Sequence, residues 1–286
     1  MRVGQFLRLC LLISLAGAVG SAATVETLPA LSGPGIAARD VRIYLPPGGA
    51  RPDTPVLIAL DGQNMSAWKL EETLAALADS RRMVPPLVVA IPAADRLEEY
   101  GLAETVDYAG RGKRSAEFQR FVLEVVLPAV RQRYGVTAAP PRTGVMGASL
   151  GGLAAFDLAW RHPEVFGFAG IFSGSFWWRA DNTSAATQQT SRLVHQLVHA
   201  KPPAARPGVR WWFEAGTRDE TDDRDGNGVI DAIQDTTELV AELDRARGTR
   251  PADLRYVEVA GGEHNEATWA RALPQFLEWA LPASNR

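Results

Sequence analysis

The sequence predicts an α/β fold, a mostly parallel central sheet with helices on both faces. Three observations carry that expectation. From residue 41 onward, short apolar runs alternate with longer stretches of helical periodicity. Most of the runs are unbroken rather than alternating, as suits strands covered on both sides. The composition, 46% hydrophobic and 22% charged over 286 residues, is that of an ordinary globular chain with ample core.

In chain order the expected strands are Val41–Leu45, Val56–Asp61, Leu87–Ile91, Thr143–Met146, Phe168–Phe172, Val209–Ala215 and Leu254–Val259. Helical patterns fit Trp68–Ser80, Ser115–Tyr134, Leu150–Arg161, Ser191–Ala200, Thr236–Arg247 and Glu266–Ala280. Ser115 and Phe118 open the second helix, and Pro140-Pro141 marks the boundary after it. Alternation of this kind implies right-handed crossovers, with catalytic groups gathered at the C-terminal ends of the strands. No repeat, low-complexity tract or linker divides residues 24–286, so one domain is expected.

Residues 1–23 read differently. Arg2 and Arg8 precede an apolar stretch, Leu9–Val19, that ends in Gly20-Ser21-Ala22-Ala23. This is the pattern of a cleaved secretory signal peptide, too short for a good membrane anchor, and it predicts a periplasmic or secreted protein without stable membrane insertion. The only cysteine, Cys10, lies inside it, so no disulfide stabilises the mature chain. Losing two arginines takes the net charge from −3 to −5, and nothing suggests a nucleic-acid partner.

The most informative segment is Gly147-Ala148-Ser149-Leu150-Gly151, between an expected strand and an expected helix. A strand, a sharp turn and a helix around Gly-x-Ser-x-Gly form a nucleophile elbow. The turn strains Ser149, side chains at 147 and 151 would collide with neighbouring backbone, and the Leu150 N–H lies ready for a developing oxyanion.

A serine hydroxyl needs an adjacent base, for which histidine is suited. Of the four histidines, His162 ends a helix, and His195 and His199 read as a solvated helix face without the glutamate of a zinc hydrolase. His264 follows the last expected strand, and the chain order Ser, acid, His matches the α/β-hydrolase arrangement. The acid belongs after the preceding strand, in Gly216-Thr-Arg-Asp-Glu220. Asp219 is the first choice, with Glu220 or a bare serine–histidine dyad as alternatives. The second oxyanion donor is expected at the Gln63 N–H, where Gly62 permits close backbone approach.

These residues sit in segments that resemble the Putative esterase family of α/β hydrolases, which includes enterochelin-type siderophore esterases and feruloyl esterases. The similarity runs through Val41–Pro47, Leu60–Met65, Ile91-Pro92 with Arg96 and Tyr100, Phe118–Tyr134, Arg161–Phe166, Phe172–Trp178, Gly216–Asp219 and Gly261–His264 with Trp269. The resemblance implies a triad on Ser149, Asp219 and His264. Two departures stand out: Glu263 where related enzymes often carry glycine, and an acidic insertion after the acid.

In that insertion Asp223, Asp225, Asn227 and Asp231 fall at positions 1, 3, 5 and 9 of an EF-hand-like loop, with Gly228 at the turn. Gln234 replaces the bidentate glutamate, so the two readings are a structural Ca²⁺ site and a solvated acidic turn. Trp211-Trp212 is expected in the core, one ring on each side of the sheet. Trp177-Trp178 is expected to wall the substrate pocket. Together these features predict a serine esterase acting on a small-molecule ester, of siderophore or hydroxycinnamoyl type, with no cofactor required for the chemistry. An acyltransferase using the same triad and a non-catalytic binding protein on the same fold are the alternatives.

Overall fold

Each of the seven expected runs becomes a strand in the computed structural model, which describes residues 24–137, 139–201, 208–245 and 253–283. The expected leader at 1–23 lies outside the described residues. The strands are β1 (Thr24–Gly33), β2 (Ile36–Leu45), β3 (Val56–Leu60), β4 (Leu87–Ile91), β5 (Thr143–Ala148), β6 (Phe168–Phe172), β7 (Arg210–Arg218) and β8 (Leu254–Glu263). They form one eight-stranded sheet in the order β1-β2-β4-β3-β5-β6-β7-β8. β1 pairs antiparallel with β2, β2 antiparallel with β4, and every other neighbouring pair is parallel.

β1 has no counterpart among the sequence expectations. It pairs only with β2 at the sheet edge, its residues are mostly exposed, and it carries Pro29 and two register shifts. Proline and irregular pairing are tolerated at an edge, where no apolar run is required.

The helices are α1 (Leu70–Asp79), α2 (Arg96–Glu99), α3 (Ser115–Arg120), α4 (Leu127–Tyr134), α5 (Leu150–Arg161), α6 (Ala185–Thr190), α7 (Leu193–Ala200), α8 (Asp231–Arg245) and α9 (Glu266–Ala280). The single helix expected over 115–134 is instead α3 and α4 joined by a π-helical segment, Phe121–Val126. Pro128 in the first turn of α4 supplies the reason, since it lacks an N–H and its ring crowds the carbonyl four residues back. α8 begins five residues before the expected start, with Asp231 accepting the Arg224 N–H at 2.9 Å.

Alternation along each strand divides the core in two. Val56, Ile58 and Leu60 pack on one side with apolar residues of α3, α4, α5, α7 and α8. Leu57 and Ala59 pack on the other with those of α1 and α9. Trp211 and Trp212 fall on opposite sides, stacked on Phe156 at 4.7 Å and tilted against Phe172 at 4.8 Å. The covered parallel strands leave their C-terminal ends and following loops to carry the polar chemistry.

Candidate active site

β5 runs straight into α5 through Ser149, which is held at φ 56°, ψ −124°. A non-glycine residue at positive φ costs of order 1–3 kcal/mol and persists only where the surroundings enforce it. A Cβ on Gly147 would lie 2.3 Å from the Gly151 carbonyl oxygen, so only glycine lets strand and helix meet this closely. The crowding at Gly151 comes from a different source than the backbone expected there: a Cβ would meet Asp61 Oδ2 at 2.7 Å. Leu150 is the first residue of α5, where a helix leaves its N–H groups unpaired. The Ser149 hydroxyl is 3.3 Å from Ser175 Oγ, and the Ser175 N–H donates to the Ser149 carbonyl at 3.0 Å.

The loop after β3 comes beside the elbow. Asp61 takes φ 54° and leads into a single turn, Gly62–Asn64. Gly62 is required by close approach, since a Cβ there would fall 2.4 Å from the Ala90 carbonyl carbon on β4. Arg96 braces the arrangement, its Nε 2.9 Å from Asp61 Oδ1 and its Nη2 donating to the Ala148 carbonyl at 3.1 Å. The Asp61 N–H donates to the buried Tyr100 hydroxyl at 2.9 Å. Gln63 lies in this braced turn, and its side chain accepts from the Ala93 N–H at 3.2 Å. Across the site, Asn64 Nδ2 donates to Glu266 Oε1 at the start of α9 at 3.2 Å.

Ser149 and His264 line one cleft of about 230 Å³, together with Gln63, Trp68, Arg96 and Trp269. The His264 ring stands edge-on to Trp269 with centroids 5.4 Å apart. Its Nδ1 lies 3.6 Å from Asp219 Oδ1, beyond hydrogen-bond length but close for an ionic contact. The Asp219 side chain is wholly buried, whereas 41% of the His264 side chain is exposed. Glu220, the alternative acid, is half-buried, and the Ala232 backbone on α8 favours its ionised form. Burial and the carboxylates of Asp231, Asp222 and Asp235 push Glu220 up to about 7.

Behind Asp219 lies a second buried carboxyl that sequence reasoning did not single out. Glu214, on β7, is fully buried, and burial, followed by the charge of Asp219, pushes it up to about 8. Ser173, after β6, stands between the two acids, its Oγ 3.0 Å from Asp219 Oδ1 and 3.5 Å from Glu214 Oε2. Trp269 Nε1 donates to the same Oγ at 2.9 Å. The available signal was one charged residue inside the otherwise apolar run Trp211-Trp-Phe-Glu-Ala215.

Trp177 and Trp178 are not among the residues lining the cleft shared by Ser149 and His264. Trp178 is completely buried beneath the Arg111 guanidinium, 5.1 Å from its ring, and Trp177 is half-buried with Arg111 at 5.3 Å. Each ring thus offers a face to the cation, as cation–π contacts require. His195 also departs from a solvated helix face. Its Nε2 is 2.9 Å from the Asp235 carbonyl oxygen, and burial, aided by Arg192, pushes it down to about 3.

In the acidic loop the oxygens already serve as acceptors. Asp223 takes the Asn227 and Gly228 N–H groups, Asp225 accepts from Gln234, and Asn227 Oδ1 accepts from the Val229 N–H. Asp231 faces Arg224 at 3.2 Å. Among the described residues, no three His, Cys, Asp or Glu side chains are grouped to hold a metal ion.

The sheet order and the strained serine between β5 and α5 define an α/β hydrolase. Within that class, residues 37–280 match the family described as Putative esterase, and the chain belongs to that family. It is 30% identical over 188 residues to the Iron(III) enterobactin esterase of Escherichia coli O6:H1, covering 63% of this chain and 42% of that protein. It is 25% identical to the uncharacterized protein YbbA of Bacillus subtilis over 87% of this chain and 94% of YbbA. The crystal structure of the enterobactin esterase FES from Shigella flexneri in the presence of enterobactin superposes with a TM-score of 0.70. That alignment is 22% identical and covers 90% of this chain and 58% of the Shigella protein. The chain thus spans about half the length of these enterobactin esterases.

Proposed function

We propose that the protein is a serine carboxylic-ester hydrolase acting through an acyl-enzyme on Ser149. The observation that carries this reading is the shared cleft: a strained elbow serine and an imidazole backed by a buried carboxylate line the same cavity. His264 takes the Ser149 proton as the hydroxyl leaves Ser175 and attacks the ester carbonyl. The Leu150 and Gln63 N–H groups hold the oxyanion. His264, its imidazolium stabilised by Asp219, then protonates the departing alcohol, and water releases the acyl group. The enterobactin esterases among the relatives favour a siderophore-type ester, and the resemblance to feruloyl esterases puts a hydroxycinnamoyl ester next.

A fluorophosphonate probe should label the wild type and not Ser149→Ala. Absence of labelling in the wild type overturns the enzymatic reading and leaves a binding protein. Product analysis on an ester panel, with and without added alcohols, separates transfer from hydrolysis. Location outside the cytoplasm rests on residues 1–23, and a mature protein beginning at Thr24 in a periplasmic or culture-medium fraction is the expected finding.

A structural Ca²⁺ at Asp223, Asp225, Asn227 and Asp231 is a separate proposal, supported by their spacing. It requires a Ca²⁺-dependent rise in Tm that EDTA reverses; an unchanged Tm removes it.

A further inference from the structure

Ser173 Oγ has three polar neighbours and one proton to give. Trp269 Nε1 can only donate to it, at 2.9 Å. The two remaining neighbours are carboxyl oxygens, Asp219 Oδ1 at 3.0 Å and Glu214 Oε2 at 3.5 Å. A hydroxyl donates once and accepts twice, so it cannot serve two carboxylates equally. If both acids were ionised, one would be left with a bare charge, and Glu214 is the worse placed. Both side chains are buried and each keeps one carboxyl oxygen without a hydrogen-bond partner among the described residues, Glu214 Oε1 and Asp219 Oδ2, but Asp219 lies nearer Ser173 Oγ and has His264 Nδ1 at 3.6 Å. If Glu214 instead carries a proton, every requirement of the hydroxyl is met. Glu214 and Trp269 donate to Ser173 Oγ, and the Ser173 proton goes to Asp219.

We propose that Glu214 is a positioning residue that works as a neutral carboxylic acid. It donates to Ser173 Oγ and thereby commits the Ser173 proton to Asp219, the carboxylate beside His264. The inference rests on the Ser149–His264–Asp219 reading and extends it by one buried layer. The surroundings of Glu214 agree with a neutral acid at neutral pH. Burial and the Asp219 charge push it up to about 8, against lesser opposing effects of Ser173 and of Arg271 on α9. Tyr256 on β8 donates to Glu258 instead, and burial, then Glu258, with smaller effects of Glu214 and Asp219, push its phenol up. Among the described residues no salt bridge reaches Glu214, and Arg271 is the smallest of the effects on it. As pH rises through about 8, Glu214 loses its proton. It then competes with Asp219 for the Ser173 hydroxyl, and the support of Asp219 weakens.

The test reads the rate of fluorophosphonate labelling of Ser149 from pH 6 to 9.5 on the full-length mature protein, which needs no knowledge of the substrate. Wild type should show a downturn centred near the Glu214 ionisation. Glu214→Leu, which keeps the bulk and removes the donor, should label about tenfold more slowly at pH 7, the effect of one lost hydrogen bond. Glu214→Gln carries an amide that donates at every pH, so it should recover most of that loss and show no downturn. Should Glu214→Leu fail to fold, as judged by its melting transition, the comparison of Glu214→Gln with wild type suffices. A Glu214→Gln profile identical to that of wild type, or a wild type without a downturn, overturns the proposal alone. Labelling that persists in Ser149→Ala, or is unaffected by Asp219→Asn, overturns the reading of the site beneath it.

Discussion

Asp219 and Glu220 are chain neighbours with the same chemistry and different surroundings. Asp219 is buried 3.6 Å from His264 Nδ1, while burial and neighbouring carboxylates push Glu220 up to about 7. An acid that holds the imidazole tautomer and stabilises the imidazolium affects the rate of the chemical step. Asp219→Asn should therefore lower kcat by on the order of 10³–10⁴, with Glu220→Gln staying near wild type. Equal losses in the two variants, measured on any ester the protein hydrolyses, would exchange their roles. From the sequence the two could only be ranked, because side-chain direction depends on packing that neither residue determines.

At the scale of elements, the elbow depends on how closely β5 and α5 approach. With only 2.3 Å between a Cβ on Gly147 and the Gly151 oxygen, Gly147→Ala must push the helix away from the strand. Overpacking of this kind typically costs about 1–3 kcal/mol, and here the displaced end carries Ser149 and the Leu150 N–H. Denaturant melts should show that loss together with a large fall in the labelling rate. A variant that labels at the wild-type rate would mean that the turn tolerates the methyl group. α5 and α9 begin and end where the sequence placed them, since their boundaries are set locally. α5 starts directly after the elbow, and Asn265 caps α9 by accepting the Thr268 N–H at 3.1 Å. The π segment and β1 were not legible, because an inserted π turn and an exposed edge leave no distinctive periodicity.

For the molecule as a whole, buried ionisable groups shape stability against pH from both sides. His195 is pushed down from 6.5 to about 3, so its contribution is present above pH 6.5 and is lost as pH falls toward 3. Glu214 and Glu220 are pushed up from 4.5 to about 8 and about 7, so their contributions are full below 4.5 and are lost as pH rises through those values. Tm should accordingly fall on both sides of the mildly acidic range. His195→Gln keeps a donor for the Asp235 carbonyl oxygen and cannot be protonated. It should flatten the acid side, and Tm recorded from pH 4 to 7 checks this. An acid side of unchanged slope would place the responsible groups elsewhere.

The sequence alone determined the α/β layering, the position of the elbow and the placing of His264 after the last strand. These depend on short-range pattern: apolar runs, a strand–turn–helix junction and one histidine after the last strand. Tertiary structure decided what lies behind and around them. It laid Arg111 over Trp177 and Trp178, joined His195 to the Asp235 carbonyl on α8, and set Ser173, held by Trp269, between Glu214 and Asp219. Those groups come from separate strands and a terminal helix. Their partners are chosen by packing in a water-poor interior, where the same side chain is acid, support or bystander according to its neighbours.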